Sequence, residues 1–282
     1  MSRWTREIAA LDPAKEYERI GFLLSTCEFA WDTEKALEFA LFRTYAVPSI
    51  SGLLSRTGEF RDRTRKRYDD TELLLSEIAE NGQESARGQA ALARINDMHL
   101  RYRIANADML YVLSTFVVEP RRWIDRFGKR PLTGAEVEAG VRYYRALGAR
   151  MGIADIPETY EAFDAFNRDY EARHFAYADT NAEIGGLTRD LLLSFYLPRW
   201  LVPLGRPAVH AMCDAPLRRA MGFSDPPRWV APVVFGGLRA RALVLRALPA
   251  RRRPRRITER RRPTYPGGYT IETLGTFKAP RG

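Results

Sequence analysis

The sequence predicts a mostly α-helical fold. Apolar residues recur at three- and four-residue intervals almost throughout, sustained two-residue alternation is nearly absent, and no internal repeat or low-complexity tract appears before Arg251. The chain has 282 residues, of which 45% are hydrophobic and 28% charged, so it can bury a sizeable core and is not disordered. The expected organisation is a single helical domain over residues 1–227, followed by a basic amphipathic arm and tail over 228–282 that packs on it.

The elements follow in order. Tyr17, Ile20 and Leu24 mark a first helical stripe, and Leu37, Leu41 and Phe42 a second. Pro48 must interrupt that second helix, because proline lacks an amide hydrogen and clashes with the preceding turn. A basic connection from Arg61 to Arg67 leads into Leu74, Leu75 and Ile78 on one face, and Asn81-Gly82 stops that helix. Leu92, Ile95, Met98, His99 and Tyr102 share the next face. Met109–Val118 is a nearly all-apolar element closed by Pro120, too short to span a bilayer. Pro131-Leu-Thr-Gly turns the chain into a helix over Glu136–Met151, and Thr159–Phe175 reads as an amphipathic surface helix. Pro198, Pro203 and Pro207 break the chain before a short helix around Val209–Met221. The one departure from helical period is a pair of short strands expected around Tyr269–Phe277.

Two cysteines, Cys27 and Cys213, make no disulfide framework and no C-x-x-C motif, which fits a reducing compartment. The first residues hold no apolar run, so neither a signal peptide nor an N-terminal anchor is expected. The net charge of +10 resolves into one late segment: twelve arginines against Glu259 between Arg228 and Arg262, leaving the remainder at −1. Trp229–Leu248 mixes apolar residues with Arg239, Arg241 and Arg246 and runs into Arg251-Arg-Arg-Pro-Arg-Arg256. Such a segment over 229–262 suits an anionic membrane surface, or else a core-covering helix with a solvated linker. Nucleic acid is the weaker partner, because no aromatics alternate with the arginines to stack bases.

Three histidines, His99, His174 and His210, leave little for a multi-histidine metal site. No H-E-x-x-H, P-loop, G-x-G-x-x-G or G-x-S-x-G pattern occurs, which removes zincins, nucleotide-binding loops and the nucleophile elbow. His99, however, lies on an apolar stripe where it needs a partner. Arg67 and Thr71, one helical turn apart, continue into the face of Leu74, Leu75 and Ile78, so a charge points toward the core and needs an anion. Taken singly, these are more often a hydrogen-bonded core histidine, half of an ion pair and a helix-start threonine. Together they make a helical pocket of the kind that haem requires: imidazole for iron, apolar walls for the porphyrin and arginine for a propionate.

The run from Pro48 to Trp123 resembles the latex-clearing protein and mpaB-type oxygenase family, mostly helical b-type haem proteins. Arg67-Tyr-Asp-Asp-Thr71 matches the family's Arg-x-x-x-Thr, and His99 falls where the proximal haem histidine should be. Tyr111 and Pro120-Arg-Arg-Trp123 resemble the helix that follows. The resemblance implies haem b, iron held by His99, and Arg67 and Thr71 as both cofactor-binding and catalytic residues. It also implies O2 and an apolar, isoprenoid-like small molecule as partners, with oxidative cleavage of a C=C bond. The expected place is the cytoplasm, peripheral to the inner membrane face.

Two departures stand out. Asp70 replaces the lysine that precedes the motif threonine in latex-clearing proteins, and Ser51 falls near the place of their glutamate, with Glu59 a loose substitute. They motivate an alternative, a non-catalytic haem- or lipid-binding protein. His174 reads as a distal or pocket residue or an ordinary helix-end residue, Tyr143 and Tyr144 as pocket lining or packing, and His210 has no role.

Overall fold

The computed structural model describes residues 2–276. Among these, thirteen α-helices and short π and 3-10 turns account for the regular structure: α1 (Arg3–Ala9), α2 (Tyr17–Leu23), α3 (Ala30–Thr44), α4 (Pro48–Thr57), α5 (Glu59–Asn81), α6 (Ala86–His99), α7 (Asn106–Phe127), α8 (Gly134–Arg150), α9 (Tyr160–His174), α10 (Asp179–Ser194), α11 (Val202–Met212), α12 (Ala215–Ala220) and α13 (Val230–Ala247). The fold is all-α, as the helical period predicts. No helix among the described residues is long and apolar enough to cross a membrane.

α3 and α7 form the central pair, with α9 and α8 on α7, α6 against α5, and α10 against α4, α5 and α11. Proline and glycine set the boundaries that matter for the cavity described below. Pro48 stands at the start of α4, where its missing amide costs nothing, and Gly58 takes φ 72°, open to glycine without strain, between α4 and α5. α5 ends at Gly82. A Cβ on Gly88 would lie 2.0 Å from the Gly82 carbonyl oxygen, so this glycine lets α6 start hard against the end of α5. Ser85 caps α6 by accepting the Gly88 amide at 2.9 Å. Leu73, Leu74 and Ile78 of α5 then pack on Ala91, Leu92 and Ile95 of α6.

Four local expectations are corrected. Arg61–Arg67 is not a connection but lies within α5, which kinks at Arg63 (φ −146°, ψ 48°). Pro120 does not close the apolar element: α7 runs seven residues further to Phe127. The burial of Trp123, Ile124 and Phe127 against Phe29 and Ala36 outweighs the lost backbone hydrogen bond. Pro203 and Pro207 lie inside α11 rather than before it, and Cys213 and Asp214 separate α11 from α12. Tyr269–Thr276 forms no strand; it holds a 3-10 turn, Ile271–Thr273, whose Ile271 and Leu274 pack in the core beside α5 and α6. Phe277 lies outside the described residues.

The arginine-rich segment is bound to the body and is not the solvated linker of the alternative reading. Arg260 pairs with Glu34 at 2.6 Å, Arg262 with Asp69 at 3.2 Å and with Glu72, and Thr258 Oγ1 donates to Glu80 at 2.6 Å. Tyr265 and Tyr269 donate to Asp70 and Glu77. Residues 255–269 thus lie along an acidic face of α3 and α5, and their charge matches carboxylates of the body. Only Arg251, Arg252, Arg253 and Arg261 of the cluster are exposed.

Candidate functional site

α4, α5, α6 and the first half of α7 enclose a cavity of about 560 Å³, within the range of small-molecule and cofactor pockets. Its wall is mainly apolar: Leu53 and Leu54 from α4, Leu74 and Leu75 from α5, Ile95 and Met98 from α6, and Met109, Val112 and Phe116 from α7. His99, Arg67 and Thr71 line this same cavity.

His99 is the last residue of α6, and its Nδ1 is buried without a hydrogen-bond partner. A helix C-terminus favours a protonated imidazole. Here burial and then the charge of Arg67 prevail and bring its pKa down to about 4. The ring is therefore neutral at physiological pH, with a lone pair free to ligate. Arg67 meets no carboxylate within ion-pairing distance among the described residues; its Nη1 donates to Thr71 Oγ1 and its guanidinium lies 5.6 Å from the Phe60 ring centroid. The anion this arginine needs is thus not supplied by the described protein. A neutral unpartnered imidazole, an unmatched guanidinium and apolar walls fit haem b, with its iron, porphyrin face and propionates.

Asp70 does not line the cavity; it accepts from Lys66 at 2.6 Å and from Tyr265. Ser51 is buried on Thr180 and Asn181, and Glu59 pairs with Arg63 at 2.6 Å, so neither reaches the cavity. Neither Tyr111 nor Trp123 lines the cavity: Tyr111 donates to Glu171 at 3.0 Å and Trp123 to Asp32 at 3.4 Å. His174 is exposed at the end of α9, stacked on Tyr170. His210 is buried elsewhere, between Arg189 and the Ser224 carbonyl.

Sequence reasoning missed three features. Asp108, which lines the cavity, is held by Ser49 at 3.1 Å and by Tyr170; Arg103 and Thr276 also reach it. A second cavity of about 110 Å³ lies beyond Arg67 and Thr71, which line both, and Tyr143 and Tyr144 belong to this smaller one. It also holds Glu34, Glu38 and Glu72, whose oxygens approach within 4.8 Å of one another. By distance alone these could hold a cation, but Lys35, Arg260 and Arg262 already neutralise them. The cluster joins α3 to α5 across long sequence separation, so no local spacing signals it.

The sequence profile of the family described as ER-bound oxygenase mpaB/B'/rubber oxygenase, catalytic domain, matches residues 40–247. The chain belongs to this family. Relatives within it include the ER-bound oxygenase mpaB' of Penicillium brevicompactum, 35% identical over 86% of this chain and 62% of that protein. Another is the ER-bound oxygenase mpaB of Penicillium roqueforti, 33% identical over 78% of this chain and 80% of that protein. The chain thus spans less than two thirds of the first relative's length. As a member of the mpaB/rubber oxygenase family, it has Arg67, Thr71 and His99, and all of the cavity lining except Thr276, inside the matched region.

Proposed function

We propose that this protein is a haem-b-dependent oxygenase that oxidatively cleaves a C=C bond in an apolar, isoprenoid-like substrate. The observation that carries the reading is the His99 imidazole, kept neutral and unpartnered in an apolar cavity that also holds the unmatched Arg67. Residues 1–227 serve as the cofactor-binding unit, with 228–282 as an arm upon it. A bound haem b supplies redox-active iron and with it the activation of O2. His99 would ligate that iron, and Arg67 would neutralise a propionate. Thr71 fixes the Arg67 guanidinium by accepting its hydrogen bond. The leucine, methionine and valine wall excludes water and takes up the apolar substrate. An apolar substrate concentrates in bilayers, so the reading includes a cytoplasmic protein docking reversibly on an anionic membrane surface.

The absorption spectrum of protein reconstituted with haem tests this. A Soret band that is lost or shifted in His99→Ala is expected; no band in the parent, or one unchanged by the substitution, overturns it.

One observation favours the second reading, a non-catalytic haem- or lipid-binding protein: Asp108, the one carboxylate lining the larger cavity among the described residues, is already held by Ser49 and Tyr170. Oxygen uptake by the reduced, haem-loaded protein with a polyprenyl and terpenoid panel separates the two. Uptake with carbonyl products supports the oxygenase; bound haem without turnover supports the binding protein.

A further inference from the structure

The membrane reading above names the whole segment 229–262, but residues 255–262 are engaged with the body of the protein. α13 is different. One side of it packs on α11 and α7, where Phe235 stacks on Phe127 with centroids 5.6 Å apart. Arg241, on that inner side, pairs with Asp32 at 2.9 Å, and Arg246 reaches back to donate to the Lys129 carbonyl. The other side meets nothing. One line of exposed positions at three- and four-residue spacing, Trp229, Val233, Gly236, Ala240, Leu243 and Ala247, carries no charge, with the exposed Arg239 and Arg246 beside it. Trp229 is 67% exposed, Val233 62% and Leu243 61%, values that a helix merely covering a core shows on its polar side. On α11, which packs on α13, Leu204 is 75% exposed, and in the 3-10 turn Arg199–Leu201 that packs on α11 Trp200 is 76% exposed. Of the ten most exposed large hydrophobic residues among those described, eight fall between residues 196 and 248.

The charge around this stripe selects its partner. From Arg228 to Thr258 the sequence has no acidic residue. Arg239 and Arg246 flank the stripe, and Arg228, Arg251, Arg252 and Arg253 stand exposed at its two ends. An apolar stripe with tryptophans at its margin, framed by cations of one sign, matches the boundary between acyl chains and anionic headgroups.

We propose that the exposed stripe of α13, with Trp200 and Leu204 beside it, is the surface by which the protein lies on an anionic lipid bilayer. The inference rests on the membrane part of the reading above and is independent of haem. α7 links the two sites: its residues up to Phe116 line the large cavity, whereas Phe127 meets α13. Eleven residues, from Phe116 to Phe127, separate these contacts by about 16 Å at 1.5 Å per residue. The stripe therefore tethers the molecule at one end of α7, while the cavity lies along the other.

Co-sedimentation of the full chain with phosphatidylcholine vesicles, with and without phosphatidylserine, tests the surface. Binding to the anionic vesicles is expected, with partitioning reduced at least about tenfold by V233E/L243E, since both substitutions remove apolar area and add like-sign charge to the bilayer's own. Both positions are exposed, so the variant's melting temperature should match the parent's. The R251A/R252A/R253A variant should lose only the salt-sensitive part of binding. Parent protein that binds no vesicle overturns the membrane reading and this surface with it. Vesicle binding that V233E/L243E leaves unchanged overturns the surface alone. A dimer in sedimentation analysis that V233E/L243E dissociates, with no vesicle binding, assigns the stripe to a second copy of the chain and likewise overturns the proposal.

Discussion

Asp70 and Thr71 adjoin in sequence and turn to different sides of α5: Thr71 lines the large cavity, while Asp70 is bonded to Lys66 and to Tyr265 of the C-terminal segment. A change of residue type at 70 therefore acts on the segment's attachment and not on the cavity. Asp70→Lys places a cation against Lys66 and leaves the Tyr265 hydroxyl without its acceptor. It should lower unfolding free energy by at least about 3 kcal/mol in urea titrations, and it should leave the spectrum of the haem-loaded protein unchanged. A new distal ligand signature in that variant would contradict the geometry.

Arg67 has no carboxylate to satisfy it, so its loss should weaken binding of an anionic cofactor without unfolding the protein. Arg67→Ala is expected to raise the haem Kd by about 10- to 100-fold, the worth of a charge-assisted contact. Arg67→Lys should recover part of this, because an ammonium keeps the charge but not the planar fork. Titration of haem-free protein by Soret absorbance reads both.

The buried pairing of Arg262 predicts a contrast within one arginine cluster. Arg262→Ala takes from the buried Asp69 one of its two cationic partners, Arg65 remaining, and from Glu72 its ion pair, and should cost about 3 kcal/mol. Arg252→Ala, at an exposed position, should change stability by less than about 0.5 kcal/mol. Equal effects would mean that the segment does not hold to α5.

Glu28, in the π turn Leu24–Glu28, carries the pH dependence. Burial pushes its carboxyl up, but hydrogen bonds from Ser2 and Thr5 and the charge of Lys129 outweigh burial and hold it below its ordinary 4.5. A carboxyl depressed in the folded state contributes stability above 4.5 and loses it as pH falls through the folded value. Glu28→Gln should therefore cost about 1–3 kcal/mol at pH 7, the worth of hydrogen bonds to a charged group. That deficit should shrink as the pH is taken below 4.5, where the parent carboxyl also protonates. Paired denaturant titrations at pH 7 and pH 3.5 measure it.

The helical period and the meeting of His99, Arg67 and Thr71 on one cavity were legible because each rests on spacing within a helix or between neighbouring helices. Pro120 was misleading locally: its helix-breaking tendency is real, but the packing of Trp123 and Phe127 decides the outcome. Glu34 and Glu72 gave no sign of their arginine partners, since those lie about two hundred residues later and nothing local links them. The orientation of Asp70 was hidden for the same reason, being set by Tyr265. In α13 the arginines drew attention while the apolar stripe, the unpartnered side, is visible only once the packed side is known.

The docking of residues 255–269 along α3 and α5 also sets an order of events during synthesis. Glu72 and Glu80 cannot be enclosed until Arg262 and the Ile257 and Thr258 donors have been made, whereas Asp69 and Glu77 also have Arg65 and Arg87 nearer in sequence. α5 must therefore stay open on that side while most of the chain is emerging, and the wall bearing Arg67 and Thr71 is completed late. Whatever occupies the large cavity meets its complete lining only after Thr276 has been made.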